Sequence, residues 1–246
     1  MLKSNMKFSF IICTYNAELR LPATLDSILA QNFEDFEVVV IDGKSSDNTV
    51  HVIKKYQTKF NGRLRWISEK DGGVYEAINK GIKLAQGDFL NIIGAGDWLE
   101  LGVLDKIAQQ IQENFLADAI YGSTKIWEKN KKHFRIAHTD VFALPNHPMQ
   151  HPALFYRKKL HEKYGLYDES YRIASDYVFC LKTFFLNKVN IIEIEAVLVN
   201  FVMDGLSSEN FWKTQIENKK ALRSVGLKNR NFYRTILTYY KKKLLK

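Results

Sequence analysis

Four aspartates follow or open apolar stretches, in positions where a carboxylate can meet a polar ligand. Asp42 ends the run FEVVVI, Asp71 follows the run at Leu64–Ser68, and Asp97 follows the run FLNII and three small residues. Asp176 opens a stretch with helical spacing. A carboxylate can accept hydrogen bonds from a base or ribose, ligate Mg²⁺ or Mn²⁺ together with phosphate oxygens, or take a proton from a hydroxyl. Together the four could hold and act on a phosphate-bearing ligand.

Each of these aspartates also has a purely structural interpretation. An aspartate at a strand end, such as Asp42 or Asp71, often caps the next helix. Asp97 could cap a helix over 101–115, and Asp176 could be a carboxylate favoured by the helix dipole. In favour of a ligand role, the residues before Asp97 are Gly-Ala-Gly, which would let a diphosphate approach the backbone.

The turn after the first apolar run excludes two common nucleotide-binding motifs. It reads Cys13-Thr14-Tyr15-Asn16-Ala17, without the glycines of a dinucleotide fingerprint, and no Walker phosphate loop occurs in the sequence. A nucleotide would therefore be bound by side chains. Tyr15 offers a ring to a base and Asp42 could accept the imide N–H of a uracil-like base, although a turn aromatic often only packs.

The apolar pattern predicts the elements that would position these groups. Runs over 8–13, 36–41, 64–68 and 89–93 are predicted to be buried strands, and each is followed by helical spacing. The order β-α-β-α-β-α-β-α predicts a single α/β domain with a mostly parallel central sheet flanked by helices. Ligands bind at the carboxyl ends of the strands in such sheets, where the four turns would meet.

The pattern changes after residue 118. Short strands are predicted over 119–121, 125–127, 134–137, 191–194 and 197–201, and helices over 175–186, 209–224 and 232–245. A loop broken by three prolines holds His147 and His151. A histidine in such a loop is often packed or solvated, but either one could ligate a metal or contact phosphates.

Composition and charge limit the function classes. The chain has 246 residues, 46% of them hydrophobic, and no apolar run approaches the ~18 residues that cross a bilayer. The N-terminus lacks the pattern of a signal peptide, so we expect a cytoplasmic protein. Cys13 and Cys180 stand apart among apolar residues and are expected to be buried free thiols.

The net charge of +9 is concentrated at the C-terminus. Residues 213–246 hold eleven Lys or Arg and one acid, Glu217, whereas residues 1–212 hold 25 basic and 26 acidic groups. We therefore predict a catalytic domain over 1–210 and a basic helical extension over 211–246. The near-neutral body argues against nucleic-acid binding. The extension could lie on an anionic membrane surface or form a solvated terminal helix.

Four ordered blocks, covering roughly residues 7–210, resemble family 2 glycosyltransferases of the GT-A fold. The blocks read SFIICTYNAELRLPATLDSILAQNFEDFEVVVIDGKSSDNT, EKDGGVYEAINKGIKLAQGDFLNIIGAGDWL, HPALFYRKKLHEKYGLYDESYRIASDYVFCLK and VMDGLSSEN. The resemblance implies an inverting transfer of a sugar from a nucleoside-diphosphate donor to an acceptor hydroxyl. Surface polysaccharide or glycolipid synthesis, with a saccharide or lipid-linked saccharide acceptor, would be the setting. UDP is favoured because Tyr15 and Asp42 suit uracil.

The resemblance also implies roles for individual residues. Asp176 would be the catalytic base, and Asp97 would end the metal motif that binds Mn²⁺ or Mg²⁺. The donor-nucleotide set would be Thr14, Tyr15, Asn16, Asp42, Asp71 and Gly72. The diphosphate or acceptor side would be closed by a loop with Gly205 and Ser207, together with His151.

One departure from the family pattern concerns the metal motif, which reads Ala95-Gly96-Asp97 and lacks its first acid. The strength of metal dependence and the metal used therefore stay open. A nucleotidyltransferase that makes nucleotide sugars uses a related sheet, but it usually has a glycine-rich basic loop where Thr14-Tyr15-Asn16 stands. A catalytically impaired homologue that binds a nucleotide or a membrane is the other alternative.

Overall fold

The computed structural model describes residues 7–128, 132–138, 140–144, 148–203 and 211–227 of the chain. The strands are β1 (Phe8–Thr14), β2 (Phe36–Asp42), β3 (Leu64–Ser68), β4 (Phe89–Ile92), β5 (Trp98–Leu99), β6 (Ala119–Trp127), β7 (Phe134–Ala137), β8 (Leu154–Arg157) and β9 (Ile191–Val202). The helices are α1 (Leu21–Leu29), α2 (Thr49–Lys59), α3 (Val74–Leu84), α4 (Val103–Glu113), α5 (Lys159–Tyr164), α6 (Ser175–Cys180) and α7 (Phe211–Ser224). Short 3₁₀ turns lie at Val141–Ala143 and His151–Ala153, and α6 continues as a π-helix over Leu181–Leu186.

The parallel half of the sheet has the strands that the sequence predicts. The sheet order is β3-β2-β1-β4-β8-β6-β9-β5, with β7 paired to β6. β1 pairs in parallel with β2 and β4, and β2 pairs in parallel with β3. Every residue of β2 is buried, as expected for a strand covered on both faces. The register sets Asp42 opposite both Thr14 and Ser68, so three strand ends meet at this carboxylate.

The second half of the sheet corrects two predictions. The prediction of separate strands over 119–121 and 125–127 was wrong, because β6 runs unbroken from Ala119 to Trp127. The prediction of separate strands over 191–194 and 197–201 was also wrong, because β9 spans both. Gly122 interrupts the apolar pattern of β6 without ending the strand. A Cβ there would lie 2.6 Å from Leu198 Cγ, so glycine permits the close approach of β9.

Three short elements were not predicted, namely β5, β8 and α5. β5 has only two residues and exists through antiparallel pairing with β9, which a local pattern cannot reveal. The predicted helix over 101–115 is shorter in the structure, Val103–Glu113. Gln31 caps its N-terminus, since Gln31 Oε1 accepts from Val103 N (3.0 Å) and Leu104 N (3.4 Å). The helix-capping alternative for Asp97 is therefore wrong.

The C-terminal part of the described chain packs on the rest of the domain. α7 begins at Phe211, two residues later than predicted, and Ala221 and Leu222 on it are buried. The helix predicted over 232–245 lies outside the described residues. Both cysteine thiols are free, with Cys180 buried and Cys13 partly buried. None of the described helices is long and apolar enough to cross a membrane.

Candidate active site

Asp42 ties the three strand ends together. Its Oδ1 accepts hydrogen bonds from Thr14 Oγ1 (3.1 Å) and Ser45 Oγ (2.5 Å), and its Oδ2 accepts from Ser45 N (3.0 Å) and Ser68 Oγ (2.6 Å). The side chain is 0% exposed. Four donors occupy a carboxylate fully. The structure therefore places Asp42 and Thr14 beneath the site as its support, with the Asp42 oxygens turned to protein donors.

Gly43 brings two of the predicted donor-binding residues together above that support. A Cβ on Gly43 would lie 2.8 Å from Asp71 Oδ2 and 3.5 Å from Tyr15 Cδ2, so both side chains face this glycine. The Tyr15 ring is 65% exposed. An open ring beside a carboxylate suits a nucleobase, which needs a flat contact and an acceptor for its N–H. Gly43 was not among the predicted site residues, although its place directly after Asp42 was a usable signal.

The pKa of Asp71 is raised above its ordinary value. Burial is the main cause, and the negative charges of Glu76 and Asp42 add to it. The backbone N–H of Gly73, 3.1 Å from Asp71 Oδ1, and the ammonium of Lys80 act in the opposite direction. A carboxylate with a raised pKa gains from a new hydrogen-bond donor, such as a base or ribose group.

Asn16 links the turn after β1 to the turn after β2. Its backbone has φ +48°, a conformation that asparagine adopts more readily than most residues. Asn16 Oδ1 accepts from Ser46 N (2.9 Å), and Asn16 N donates to Ser45 Oγ (2.9 Å). The side chain that was predicted to bind the donor thus joins the two turns that carry Tyr15 and Gly43.

The turn at Gly72 and Gly73 reaches across the site to Arg172. Arg172 Nη1 donates to the carbonyl oxygen of Gly72, and Gly72 N donates to Glu76 Oε2 (2.6 Å). Gly73 has φ +155°, and a Cβ there would lie 3.0 Å from Arg172 Nη1. A small cavity of about 130 Å³ lies between this turn and the Arg172 loop. Arg172 was not predicted, and its guanidinium adds a second cation, besides Lys80, to a site with several carboxylates.

Asp176 has one oxygen anchored. Oδ1 accepts from Tyr177 N (2.8 Å) and lies 2.9 Å from the Tyr75 hydroxyl, which also lies 2.5 Å from the carbonyl oxygen of Ile173. Burial, and next the charge of Asp176, raises the pKa of Tyr75 well above its usual range, so the phenol keeps its proton. Oδ2 has no hydrogen-bond partner within the described part of the chain. An oriented carboxylate with one available oxygen can act as a general base.

Glu217 on α7 holds the loop that leads to Asp176. Its carboxylate accepts from three successive backbone N–H groups, those of Arg172 (3.0 and 3.1 Å), Ile173 (2.7 Å) and Ala174 (3.1 Å). Successive N–H groups form an anion-binding concavity. In the sequence, Glu217 stands out only as the one acid in a basic stretch, and that isolation was the available signal.

Asp97 lies between β4 and β5 and is hydrogen-bonded to β9. It is 6% exposed, and its Oδ1 accepts from Val202 N (3.1 Å). A Cβ on Gly94 would lie 2.8 Å from Asp97 Oδ2, so glycine keeps space beside that oxygen. The described residues hold no group of three His, Cys, Asp or Glu that could bind a metal ion, so Asp97 would ligate one without two further such side chains. The other ligands would therefore be phosphate oxygens and waters.

His151 belongs to the Asp176 side of the site. Its Nε2 lies 2.8 Å from the Tyr167 hydroxyl. Burial lowers the pKa of His151, and the nearby charge of Asp176 opposes that change. His147, Gly205 and Ser207 lie outside the described residues. Their predicted roles stay predictions.

The family follows from a match to a known sequence profile. The profile described as Glycosyl transferase family 2 matches residues 9–175, which include Tyr15, Asp71 and Asp97. The chain belongs to this family. A relative, the PGL/p-HBAD biosynthesis glycosyltransferase of Mycobacterium tuberculosis, is 35% identical over 178 residues, covering 72% of this chain and 69% of the relative.

Solved glycosyltransferase structures share the fold. The crystal structure of Staphylococcus aureus TarS 1-349 in complex with UDP-GlcNAc matches with a TM-score of 0.72 and 24% identity, covering 89% of this chain and 65% of that chain. The mannosyltransferase PcManGT from Pyrobaculum calidifontis, in complex with GDP-Man and Mn²⁺, matches with a TM-score of 0.70 and 16% identity, covering 94% and 68%. The predicted GT-A fold is confirmed.

Proposed function

We propose that this family 2 glycosyltransferase is an inverting enzyme that transfers a sugar from a nucleoside-diphosphate donor to an acceptor hydroxyl. The arrangement of Asp176 carries the proposal. Tyr75 holds Asp176 Oδ1, and Tyr75 itself lies in the first turn of α3, directly after the Asp71-Gly72-Gly73 turn. The acid that would take a proton and the acid that would bind the nucleoside are therefore linked by one short segment.

UDP is the favoured donor nucleotide. Tyr15 and Asp71 meet at Gly43 as an open ring beside a carboxylate, which suits the flat face and N–H of uracil. The TarS structures contain UDP in one case and UDP-GlcNAc in another, whereas the mannosyltransferase contains GDP-Man. The 26% identity to the UDP-bound TarS chain, against 16% to the mannosyltransferase, supports the same preference.

The reaction would be a single displacement. Asp176 Oδ2 takes the proton from the acceptor hydroxyl as the hydroxyl oxygen forms a bond to the anomeric carbon of the donor sugar. The bond from that carbon to the diphosphate oxygen breaks, and its electron pair leaves with the nucleoside diphosphate. One displacement inverts the anomeric configuration. A divalent cation, when bound beside Asp97, would stabilise the negative charge on the departing diphosphate.

The setting of the reaction is part of the proposal. We place the catalytic domain over 1–210 and a basic helical extension over 211–246, with the extension against the anionic inner face of the cell membrane. A saccharide or lipid-linked saccharide acceptor, in surface polysaccharide or glycolipid synthesis, fits such a position. The name of the M. tuberculosis relative, which concerns PGL biosynthesis, supports this setting.

Asp176→Asn is the experiment that tests the proposal. Nucleoside diphosphate release from UDP-sugars should fall by about 10²–10⁴-fold, because the amide cannot accept the proton. UDP binding should stay nearly unchanged, since Asp176 does not contact the nucleoside side of the site. Asp168→Asn, at an exposed acid eight residues earlier, is the matched control and should keep full turnover. Normal turnover by Asp176→Asn would refute the assignment of the base.

A further inference from the structure

A chain of hydrogen bonds runs from His151 into the core. His151 Nε2 lies 2.8 Å from the Tyr167 hydroxyl, which lies 2.9 Å from the Tyr156 hydroxyl. The Tyr156 hydroxyl lies 3.0 Å from His161 Nε2, and His161 Nδ1 lies 3.0 Å from the carbonyl oxygen of Gly165. Tyr156, Tyr167 and His161 are buried. Together these contacts form a buried polar chain from His151 to Gly165.

The inner end of the buried polar chain fixes the direction of every bond in it. A carbonyl oxygen only accepts, so His161 Nδ1 carries a proton and donates to Gly165. Burial lowers the pKa of His161 to about 4, which keeps the ring neutral and leaves Nε2 as an acceptor. Tyr156 must then donate to His161, and Tyr167 must donate to Tyr156. The Tyr167 oxygen is left to accept, so His151 Nε2 donates.

These hydrogen-bond directions define the tautomer of His151. A neutral histidine with its proton on Nε2 has a lone pair on Nδ1. Nδ1 of His151 has no hydrogen-bond partner among the residues that the structure describes. It can therefore accept a hydrogen bond from a hydroxyl. A phosphate oxygen brings no proton for such a bond, so the phosphate contact considered for His151 is disfavoured.

The position of His151 is fixed by two further contacts. Asn91 Nδ2 donates to the carbonyl oxygens of Pro152 (2.9 Å) and Leu154 (3.1 Å), which ties the segment after His151 to β4. Gln150 N donates to the Tyr121 hydroxyl (3.1 Å) on the other side. The ring is thus held from both flanks as well as through Nε2.

His151 and Asp176 lie on either side of one pair of tyrosines. The Tyr167 ring centroid lies 5.8 Å from that of His151 and 5.8 Å from that of Tyr75. Tyr75 in turn contacts Asp176 through its hydroxyl. The charge of Asp176 also acts on the pKa of His151, so the carboxylate and the imidazole, two groups that can accept a hydrogen bond, lie near each other.

We propose that the buried polar chain holds His151 as the Nε2–H tautomer, so that Nδ1 accepts a hydrogen bond from a second hydroxyl of the acceptor beside the one that Asp176 deprotonates. This rests on the proposed function. Two acceptors side by side match a pair of neighbouring hydroxyls on one sugar or polyol. His151 is then a specificity residue for the acceptor, and Tyr167, Tyr156 and His161 are positioning residues that act through it.

The tautomer is measured by long-range ¹H–¹⁵N correlation spectra of the full chain labelled with ¹⁵N-histidine at neutral pH. Variants His151→Asn and His161→Gln assign the two signals among the six histidines. The proposal predicts a proton on Nδ1 of His161 and on Nε2 of His151. Tyr167→Phe, or Tyr156→Phe if that variant does not fold, should shift His151 towards a mixture of tautomers. A wild-type His151 with a proton on Nδ1, or with both nitrogens protonated, would overturn the proposal.

The ligand class is tested on the same sample with three probes. Glycerol, as a small polyol, should move the Nδ1 signal of His151 towards the range of a hydrogen-bonded nitrogen, and Tyr167→Phe should weaken that shift. Inorganic phosphate and Mg²⁺ should leave the signal in place. A response to phosphate or Mg²⁺ but not to glycerol, or a signal that no probe moves, would contradict the proposal. None of these spectra depends on turnover, so a failure here is distinct from a failure of the Asp176→Asn test.

Discussion

The four aspartates of the candidate site differ in burial and in hydrogen bonding. Asp42 is fully buried and accepts four hydrogen bonds, whereas Asp71 stands beside an exposed Tyr15 with a raised pKa. Asp97 is tied to β9 through Val202 N, and Asp176 keeps one oxygen available next to Tyr75. The surroundings of each carboxylate, rather than its position at a strand end, decide whether it supports the fold or meets a ligand.

His161 gives a prediction for the pH dependence of stability. Its pKa falls from 6.5 to about 4 in the folded protein because the ring is buried, so the unfolded chain binds a proton more readily between these values. The contribution of His161 to the free energy of unfolding is therefore fully present above pH 6.5. The free energy of unfolding falls by about 3 kcal/mol as the pH falls from 6.5 towards 4. Urea unfolding of wild type and His161→Gln across this range measures it.

The comparison has a matched control at His51, an exposed histidine on α2. His161→Gln should flatten the dependence of the unfolding free energy on pH, because glutamine does not titrate. His51→Gln should keep the wild-type slope. Equal slopes for wild type and His161→Gln would show that the ring is not held neutral by burial.

At the level of elements, α7 positions the loop before Asp176, the proposed catalytic base. Four hydrogen bonds from Arg172, Ile173 and Ala174 end on the carboxylate of Glu217. The same loop contacts the donor side, where Arg172 donates to the Gly72 carbonyl. α7 is therefore part of the working site, although the domain boundary proposed at residue 211 separates the two in sequence.

Glu217→Ala tests this positioning. The loop loses a charged acceptor for three N–H groups, so the unfolding free energy should fall by about 2 kcal/mol. Turnover should fall at least tenfold while UDP affinity changes less, because Asp176 depends on the loop more than the nucleoside side does. Glu217→Gln should lie between wild type and Glu217→Ala, and Lys213→Ala, an exposed residue on α7, should behave as wild type.

An equal loss of UDP affinity and turnover in Glu217→Ala would mean that the helix supports the whole site rather than the base. Urea unfolding, UDP titration and nucleoside diphosphate release on the same preparation separate these outcomes.

Elements with strong local patterns were predictable, and elements made by pairing were not. The buried runs of β1 to β4 and the apolar stripes of α1 to α3 are visible in the sequence. β5 is two residues long and depends on β9, and β8 follows a proline-rich segment. Periodicity reports which face of an element is buried, but not which distant strand supplies its hydrogen bonds.

The same limit applies to the candidate site. Asp71, Asp97 and Asp176 could be picked from strand ends, helix starts and the family resemblance. Arg172 and Glu217 could not, because their contacts join residues that are 100 and 45 positions apart. The support role of Asp42 also depends on Ser45 and Ser68, which only the register of β2 and β3 brings to one carboxylate.

At the scale of the whole molecule, the charge is divided between a near-neutral body and a basic C-terminal segment. Residues 228–246, outside the described part, carry seven Lys or Arg and no acid. Each basic residue near an anionic bilayer contributes about 1 kcal/mol, and salt screens the attraction. In sequence, the segment follows α7.

Removal of residues 228–246 should reduce binding to vesicles that contain phosphatidylglycerol and have little effect on binding to phosphatidylcholine vesicles, as measured by co-sedimentation at two salt concentrations. Release of nucleoside diphosphate from soluble UDP-sugar should persist, because Glu217 and α7 remain. Unchanged binding to the anionic vesicles would refute the membrane role of this segment.

Calorimetric titration of the purified chain with UDP, GDP and dTDP, each with and without Mn²⁺, shows whether this edge of the sheet binds a nucleoside-diphosphate donor. We expect UDP to bind in preference to the other two nucleotides and Mn²⁺ to strengthen binding. Asp97→Ala should remove the gain from Mn²⁺ while leaving metal-free binding in place. Absence of binding by all three nucleotides, with or without Mn²⁺, would contradict the assignment of this strand edge as a donor site.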